Sequence, residues 1–400
     1  MRKSIAIIIT SILVLSGCNK QQSVSDRLLN EVEKAIAINP DSASNLLNSI
    51  SSPEKLDNKT FARWCMLSGK ITDEIFNSIL PTYQLERAYE WYSSHGSPDE
   101  QVQILIYLGR SYFADGDYDK AMSIYTNALD IAEKNKLNNL TGYTYSYIGD
   151  LYGEKFMRTE AIKRYKAAAE CFKKENNTDS YACALRDVGR EYACIDSLSR
   201  ALKILTIADS VARNTKNIEV TASIDNALGN IYAMQNKYDK AEKYLLKALL
   251  TGREKMPDYV ALIDLYTTSG SINKAKELLS KIPQDNPQYT CSIKYLYYQI
   301  YNAEENYKEA LVNLEEYVNM VDSIVYADSQ SKILDIESKY NHLKISKEVD
   351  RLKIKQQSYI IISIICIITL LFIMVGYLLY RKKAKEKIAL QTAGQKSPGK

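Results

Sequence analysis

Residues 108–128 read LGRSYFADGDYDKAMSIYTNA, and forty positions later residues 148–168 read IGDLYGEKFMRTEAIKRYKAA. The two stretches agree at a few fixed places. A large apolar residue is followed by glycine, tyrosine comes three residues after the glycine, and alanine twelve and nineteen residues after it. The pattern runs through four copies: Gly109, Gly149, Gly189 and Gly229; Tyr112, Tyr152, Tyr192 and Tyr232; Ala121, Ala161, Ala201 and Ala241; Ala128, Ala168, Ala208 and Ala248. Leu108, Ile148, Val188 and Leu228 precede the glycines, and Tyr125, Tyr165, Leu205 and Leu245 follow the first alanines by one helical turn. A fixed period of this order marks a repeat architecture. Small residues where two helices touch, with large ones between them at helical spacing, make each copy a helical hairpin. The glycines and alanines are therefore structural, since larger side chains there would overpack the contact.

Composition agrees with helix. Only 15 glycines and 8 prolines occur in 400 residues, too few for a chain of many tight turns. Two shorter copies follow at spacings of 34 and 35 residues, with Tyr266, Gly270, Ala275, Leu279 and Pro283, then Tyr301, Tyr307, Ala310 and Leu314. Upstream, Val32 to Ile38 with Asp41 to Ile50, and Phe61 to Ile75 with Leu85 to Tyr92, predict degenerate hairpins, as befits the end of a stack.

The order of large apolar residue and glycine, tyrosine, alanine, aromatic or leucine, and alanine resembles the tetratricopeptide repeat (TPR) family. The resemblance covers residues 101–320 well and 27–95 weakly. Forty-residue units exceed the family's usual 34 by about one and a half helical turns, which predicts longer helices or longer connections. Arg87 to Ala128 and Ile333 to Tyr340 also resemble membrane-bound TPR sensor proteins of Bacteroidetes, in which a helix leads from the repeats into the membrane.

Both ends carry membrane signals. Arg2 and Lys3, the apolar run Ile5 to Leu15, and Leu15-Ser16-Gly17-Cys18 resemble a bacterial lipoprotein signal, which implies cleavage after residue 17 and lipidation of Cys18. From Tyr359 to Tyr380 no side chain is charged, and Arg381, Lys382, Lys383 and Lys385 follow, so a transmembrane helix with a cytoplasmic basic flank is expected. Between them, Leu314, Val318, Val321 and Val325, then Ile336, Tyr340 and Leu343, then Ile345, Val349 and Leu352 predict a long amphipathic helix. It either caps the last repeat or forms a dimeric coiled coil.

The expected fold is thus all-α, a TPR helical-hairpin solenoid followed by a long amphipathic helix and one transmembrane helix. Its expected parts are a signal peptide (1–17), a lipidated N-terminus and linker (18–26), degenerate hairpins (27–100), six TPR repeats (101–320), an amphipathic or coiled-coil exit helix (321–357), a span (358–380) and a short basic tail (381–400). This places the chain at the bacterial inner membrane, with the repeats in the periplasm and the tail in the cytoplasm.

The formal charge of +4 comes from the last twenty residues, and everything before them sums to −2, so no basic face for nucleic acid is expected. His95 and His342 are isolated, and no metal-ligand, nucleophile or phosphate-loop spacing occurs, so neither enzyme activity nor a cofactor is expected. Of the seven cysteines, Cys65, Cys171, Cys183, Cys194 and Cys291 remain once Cys18 and Cys366 are set aside. Cys171, Cys183 and Cys194 either include one disulfide or fill packing slots.

The resemblance to TPR proteins implies that the first helix of each hairpin lines a concave groove for protein or peptide ligands. Arg186 with Arg190, and Asn226 with Asn230, each share a helix face; Arg110, Asp150, Tyr107 and Tyr147 hold corresponding places. Arginine forks, asparagine amides and tyrosine rings suit a peptide's carboxylates, backbone and side chains. The basic clamp by which some TPR proteins hold a C-terminal carboxylate is not reproduced. A scaffold or sensor is the expected role. The alternative is a transmembrane relay through the exit helix to a separate cytoplasmic partner, with homodimerisation through that helix as a possible assembly.

Overall fold

The computed structural model describes residues 24–75, 79–253, 255–284 and 289–325, with 351–352, 354–358 and 383 in addition. The chain divides into two compact units, Met1–Glu337 and Ser338–Lys400. In the second, the described residues are helical. The first is a run of helices in antiparallel pairs: α1 (24–36), α2 (Pro40–Asn48), α3 (Asn58–Ile75), α4 (Thr82–His95), α5 (Pro98–Ala114), α6 (Tyr118–Lys134), α7 (Asn138–Glu154) and α8 (Arg158–Lys174). It continues with α9 (Thr178–Cys194), α10 (Leu198–Ala212), α11 (Ile218–Met234), α12 (Tyr238–Thr251), α13 (Met256–Thr268), α14 (Ile272–Leu279), α15 (Thr290–Ala303) and α16 (Tyr307–Val325).

The forty-residue period resolves into two helices of up to 17 residues joined by short turns, so the residues beyond the family's usual length lie in the helices. From α5 to α12 a helix starts every twenty residues. The turns explain the regularity. After α5, the Asp117 amide donates to the Tyr112 carbonyl (2.9 Å) and the Gly116 amide to Phe113 (3.0 Å), with Gly116 left-handed at φ 76°. This is the Schellman closure, which satisfies carbonyls the helix end leaves unpaired. It recurs at Lys136, Phe156, Asn176, Asp196 and Asn236, all at φ 56–59°. Helix starts are capped locally: Ser97 and Glu100 form a reciprocal box before Pro98, and the Asp117 and Asn177 side chains accept from Lys120 and Ser180 amides.

Each repeat glycine exists to admit one large side chain sixteen positions ahead. A Cβ on Gly109 would stand 2.3 Å from the Tyr125 ring, on Gly149 2.7 Å from Tyr165, on Gly189 2.7 Å from Leu205 and on Gly229 2.6 Å from Leu245. The eight repeat alanines are fully buried. The repeated tyrosines sit under cations of the following helix, Lys120 over Tyr112 at 5.0 Å and Lys240 over Tyr232 at 5.6 Å. Tyr112 also donates to Glu86 of the preceding hairpin, which ties neighbouring units together.

Between α5 and α12 the pattern breaks at the link from α10 to α11. α10 has 15 residues, five residues (213–217) connect it to α11, and no left-handed residue closes the turn. Here Asp209 (8% exposed) and Asp225 (0%) occupy buried positions, whereas forty residues earlier the same places hold Ala169 and Leu185. Lys247 reaches Asp225 at 2.7 Å and Arg213 reaches Asp209 at 2.6 Å.

The expected transmembrane helix at 358–380 is corrected. Among the described residues no helix is long and apolar enough to cross a membrane. The described helices of the solenoid pair an apolar stripe with a polar face, which suits stacking in water. Residues 359–380 themselves lie outside the described residues, as do 1–23 with Cys18, most of the exit helix beyond Val325, and all of the tail but Lys383. The fold of the described chain is an all-helical repeat solenoid.

Candidate functional site

Odd-numbered helices touch not only their own partners but one another: α3 meets α5, α5 meets α7, α9 meets α11, α11 meets α13, and α13 meets α15. Helices on one side of a stack close ranks only if the stack curves towards that side, so the odd helices form its inner face. Polar side chains stitch them at a recurring offset of 37 residues. Arg110 pairs with Asp73, Arg186 Nη1 donates to Ser223 Oγ (2.9 Å), and Tyr143 shares a hydrogen bond with Ser180 (2.9 Å).

The predicted residues divide into braced and open ones. Arg110 is 18% exposed, ion-paired to Asp73, and lies 5.5 Å from the Tyr147 ring and 5.9 Å from the Tyr107 ring. Tyr107 donates to Asp73 (3.0 Å), and Tyr147 stacks on Tyr125 at 5.6 Å. Arg186 is likewise engaged, donating to both oxygens of Asp187 (2.9 and 3.0 Å) as well as to Ser223. These four groups brace the inner face, Arg110, Tyr107 and Arg186 through polar atoms taken up within the protein and Tyr147 through its ring.

Arg190 differs. Its side chain is 65% exposed, and its recorded ion-pair partner, Asp187, lies 4.0 Å away. Asn230 is exposed and donates to Asn226 (2.9 Å), which in turn donates to Asp258 (2.6 Å), so the outer amide is oriented with its carbonyl free to accept. Arg110, Asp150, Arg190 and Asn230 each follow a repeat glycine and so mark one line across four units.

Asp150 stands apart on that line. It accepts from the Tyr165 hydroxyl (2.7 Å) and has no cation within 4.0 Å. Burial, and then the charge of Asp187, push its carboxyl up to about 6 against the opposing pull of Tyr165, Arg186 and Arg190. Asp187 is 37 residues on from Asp150, the offset that elsewhere joins hydrogen-bonding partners.

Asp73, Asp187, Ser223 and Asp258 were not singled out from the sequence. The 37-residue offset would have found the first three, but it arises from helix packing one turn short of the repeat. Among the described residues no group of three His, Cys, Asp or Glu side chains can hold a metal ion. Cys65, Cys171, Cys183, Cys194 and Cys291 are free thiols.

Comparison with known proteins agrees with this architecture. Two tetratricopeptide repeat models match, one over residues 100–174 and one over 221–256. Both matched segments are tetratricopeptide repeats. No curated protein sequence matches it. Among solved structures, a Rap protein complexed with competence and sporulation factor is similar, with TM-score 0.61 and 18% identity over 76% of this chain and 88% of that one. NprR in complex with its cognate peptide NprX gives TM-score 0.51 and 16% identity over 81% and 98%, and the apo form of RapI gives 0.51 and 14% over 64% and 94%. At these identities the likeness is one of fold.

Proposed function

We propose that this protein is a scaffold that holds a peptide segment of a partner protein along the inner faces of α7, α9 and α11. The observation that carries the reading is the contrast on one line of the groove. Arg110 is consumed internally, whereas Arg190 is exposed with a cation to offer, and Asn230 is exposed and held in orientation by Asn226. Oriented amides suit a peptide backbone, and an uncommitted guanidinium suits a carboxylate. Two structural neighbours were solved with a factor or cognate peptide bound, which favours the same use of this fold.

The sequence of residues 1–18 supports export and attachment through a lipid on Cys18, which would hold the solenoid on the periplasmic side of the inner membrane. Proximity labelling from the repeat domain in the native envelope tests the whole reading. Neighbours labelled by the unaltered protein and lost with Arg190→Glu or Asn230→Ala support it, and a labelling pattern unchanged by both variants refutes the groove. Loss of lipid labelling in Cys18→Ser, with labelling in the parent, tests the anchor separately.

A further inference from the structure

The inner rank of helices is not uniform. α7 and α9 are joined at their N-terminal ends, by Tyr143 with Ser180 (2.9 Å) and by Asn177 donating to Asn139 (3.1 Å). Towards their C-terminal ends they do not close up as α5 with α7 or α9 with α11 do, and among the described residues no hydrogen bond or ion pair joins them there. Asp150 and Asp187 both stand in those C-terminal halves, where the charge of Asp187 acts on Asp150. Asp187 is satisfied by Arg186, whereas the hydrogen-bond donor to Asp150 is the neutral Tyr165 phenol, and Arg186 and Arg190 act on it only from beyond ion-pair distance. A half-buried carboxylate beside a second carboxylate is unfavourable unless a cation joins it.

We infer that the ligand held in this groove carries a lysine or arginine side chain that enters the opening between α7 and α9 onto Asp150, with an aspartate or glutamate two or three residues away on Arg190. This rests on the peptide-binding reading above. The spacing follows from packed helices lying about 8–10 Å apart and an extended peptide advancing about 3.3 Å per residue. The charges follow from the line itself, in which Arg110 is already neutralised by Asp73 while Asp150 and Arg190 are open to a ligand of opposite sign.

The test pans a random nonapeptide library against the full chain purified in detergent, with Asp150→Asn, Arg190→Glu and Asn230→Ala in parallel and circular dichroism confirming fold. The expected result is enrichment of a basic residue two or three positions from an acidic one. Asp150→Asn should remove the basic preference, Arg190→Glu should turn the acidic preference basic, and replacing lysine by norleucine in a selected peptide should weaken binding about tenfold. The lysine peptide should also lose affinity from pH 7 to pH 5 as Asp150 protonates, a titration set by Asp187, Arg186 and Arg190 on α9, Tyr165 on α8, and Tyr125 and Tyr147 nearby. Peptides that enrich and depend on Asn230 but show no paired charges overturn this inference while leaving the groove intact. No enrichment by the folded chain overturns both.

Discussion

The ring of Tyr165 occupies the space that any side chain at Gly149 would need: a Cβ there would lie 2.7 Å from Tyr165 Cε1. Tyr165 is 5% exposed and hydrogen-bonded to Asp150, so it has no free direction in which to retreat. Gly149→Ala should destabilise the protein by about 1–3 kcal/mol through overpacking. Denaturant unfolding measures this, and an unchanged midpoint would refute the role given to the repeat glycines.

Lys136 tests the turns. It is exposed, left-handed at φ 58°, and plays the part that Gly116 plays twenty residues earlier. An L side chain is disfavoured there by about 1–2 kcal/mol, partly offset by glycine's greater freedom when unfolded. Lys136→Gly should therefore stabilise by about 0.5–1 kcal/mol in the same measurement.

Asp225 is expected to cost stability at neutral pH. Burial raises its carboxyl above the ordinary value, Lys247 opposes this and Asp209 adds to it. A folded pKa above the unfolded one means that the folded state binds the proton more tightly, so stability falls as pH rises from the unfolded value through the folded one. Asp225→Leu restores the residue type of Leu105 and Leu185 and leaves the half-exposed Lys247 free to hydrate. The variant should gain about 1 kcal/mol or more at pH 7. That advantage should shrink as pH approaches 4, as thermal melts across that range would report.

Arg110 and Arg190 hold equivalent places in their repeats but should behave in opposite ways. Arg110→Met strands Asp73, and because Asp73 is 43% exposed the expected loss of stability is modest, about 1 kcal/mol, with partner capture unchanged. Arg190→Met should leave stability within about 0.5 kcal/mol and reduce capture. Co-purification and melting of the two variants side by side decide the matter.

The hairpins were legible because packing demands particular residue types at the contacts: glycine opposite Tyr125, Tyr165, Leu205 or Leu245, and alanine at eight buried points. The twenty-residue rhythm of the turns was hidden. Its closure is made by backbone amides, and the left-handed place is filled by residues as unlike as Gly116, Phe156 and Asp196. Within the groove, the sequence placed Arg186 and Arg190 on one helix face, but their difference depends on which of them Asp187 pairs with and on Ser223, which arrives only when α9 meets α11. A motif identifies which side chains are available; packing decides which are already spent.

The contrast between the closed turns and the five-residue link at 213–217 bears on how the molecule comes apart. Where closed turns repeat without fault, neighbouring units melt together; a link that interrupts the turns divides a linear array into blocks with separate transitions. Amide exchange should find α5 to α9 opening as one block and α11 to α13 as another, with the boundary passing through α10. Pulled from its two ends, the array would yield first at that boundary, leaving the α7–α9 opening intact in the segment that holds.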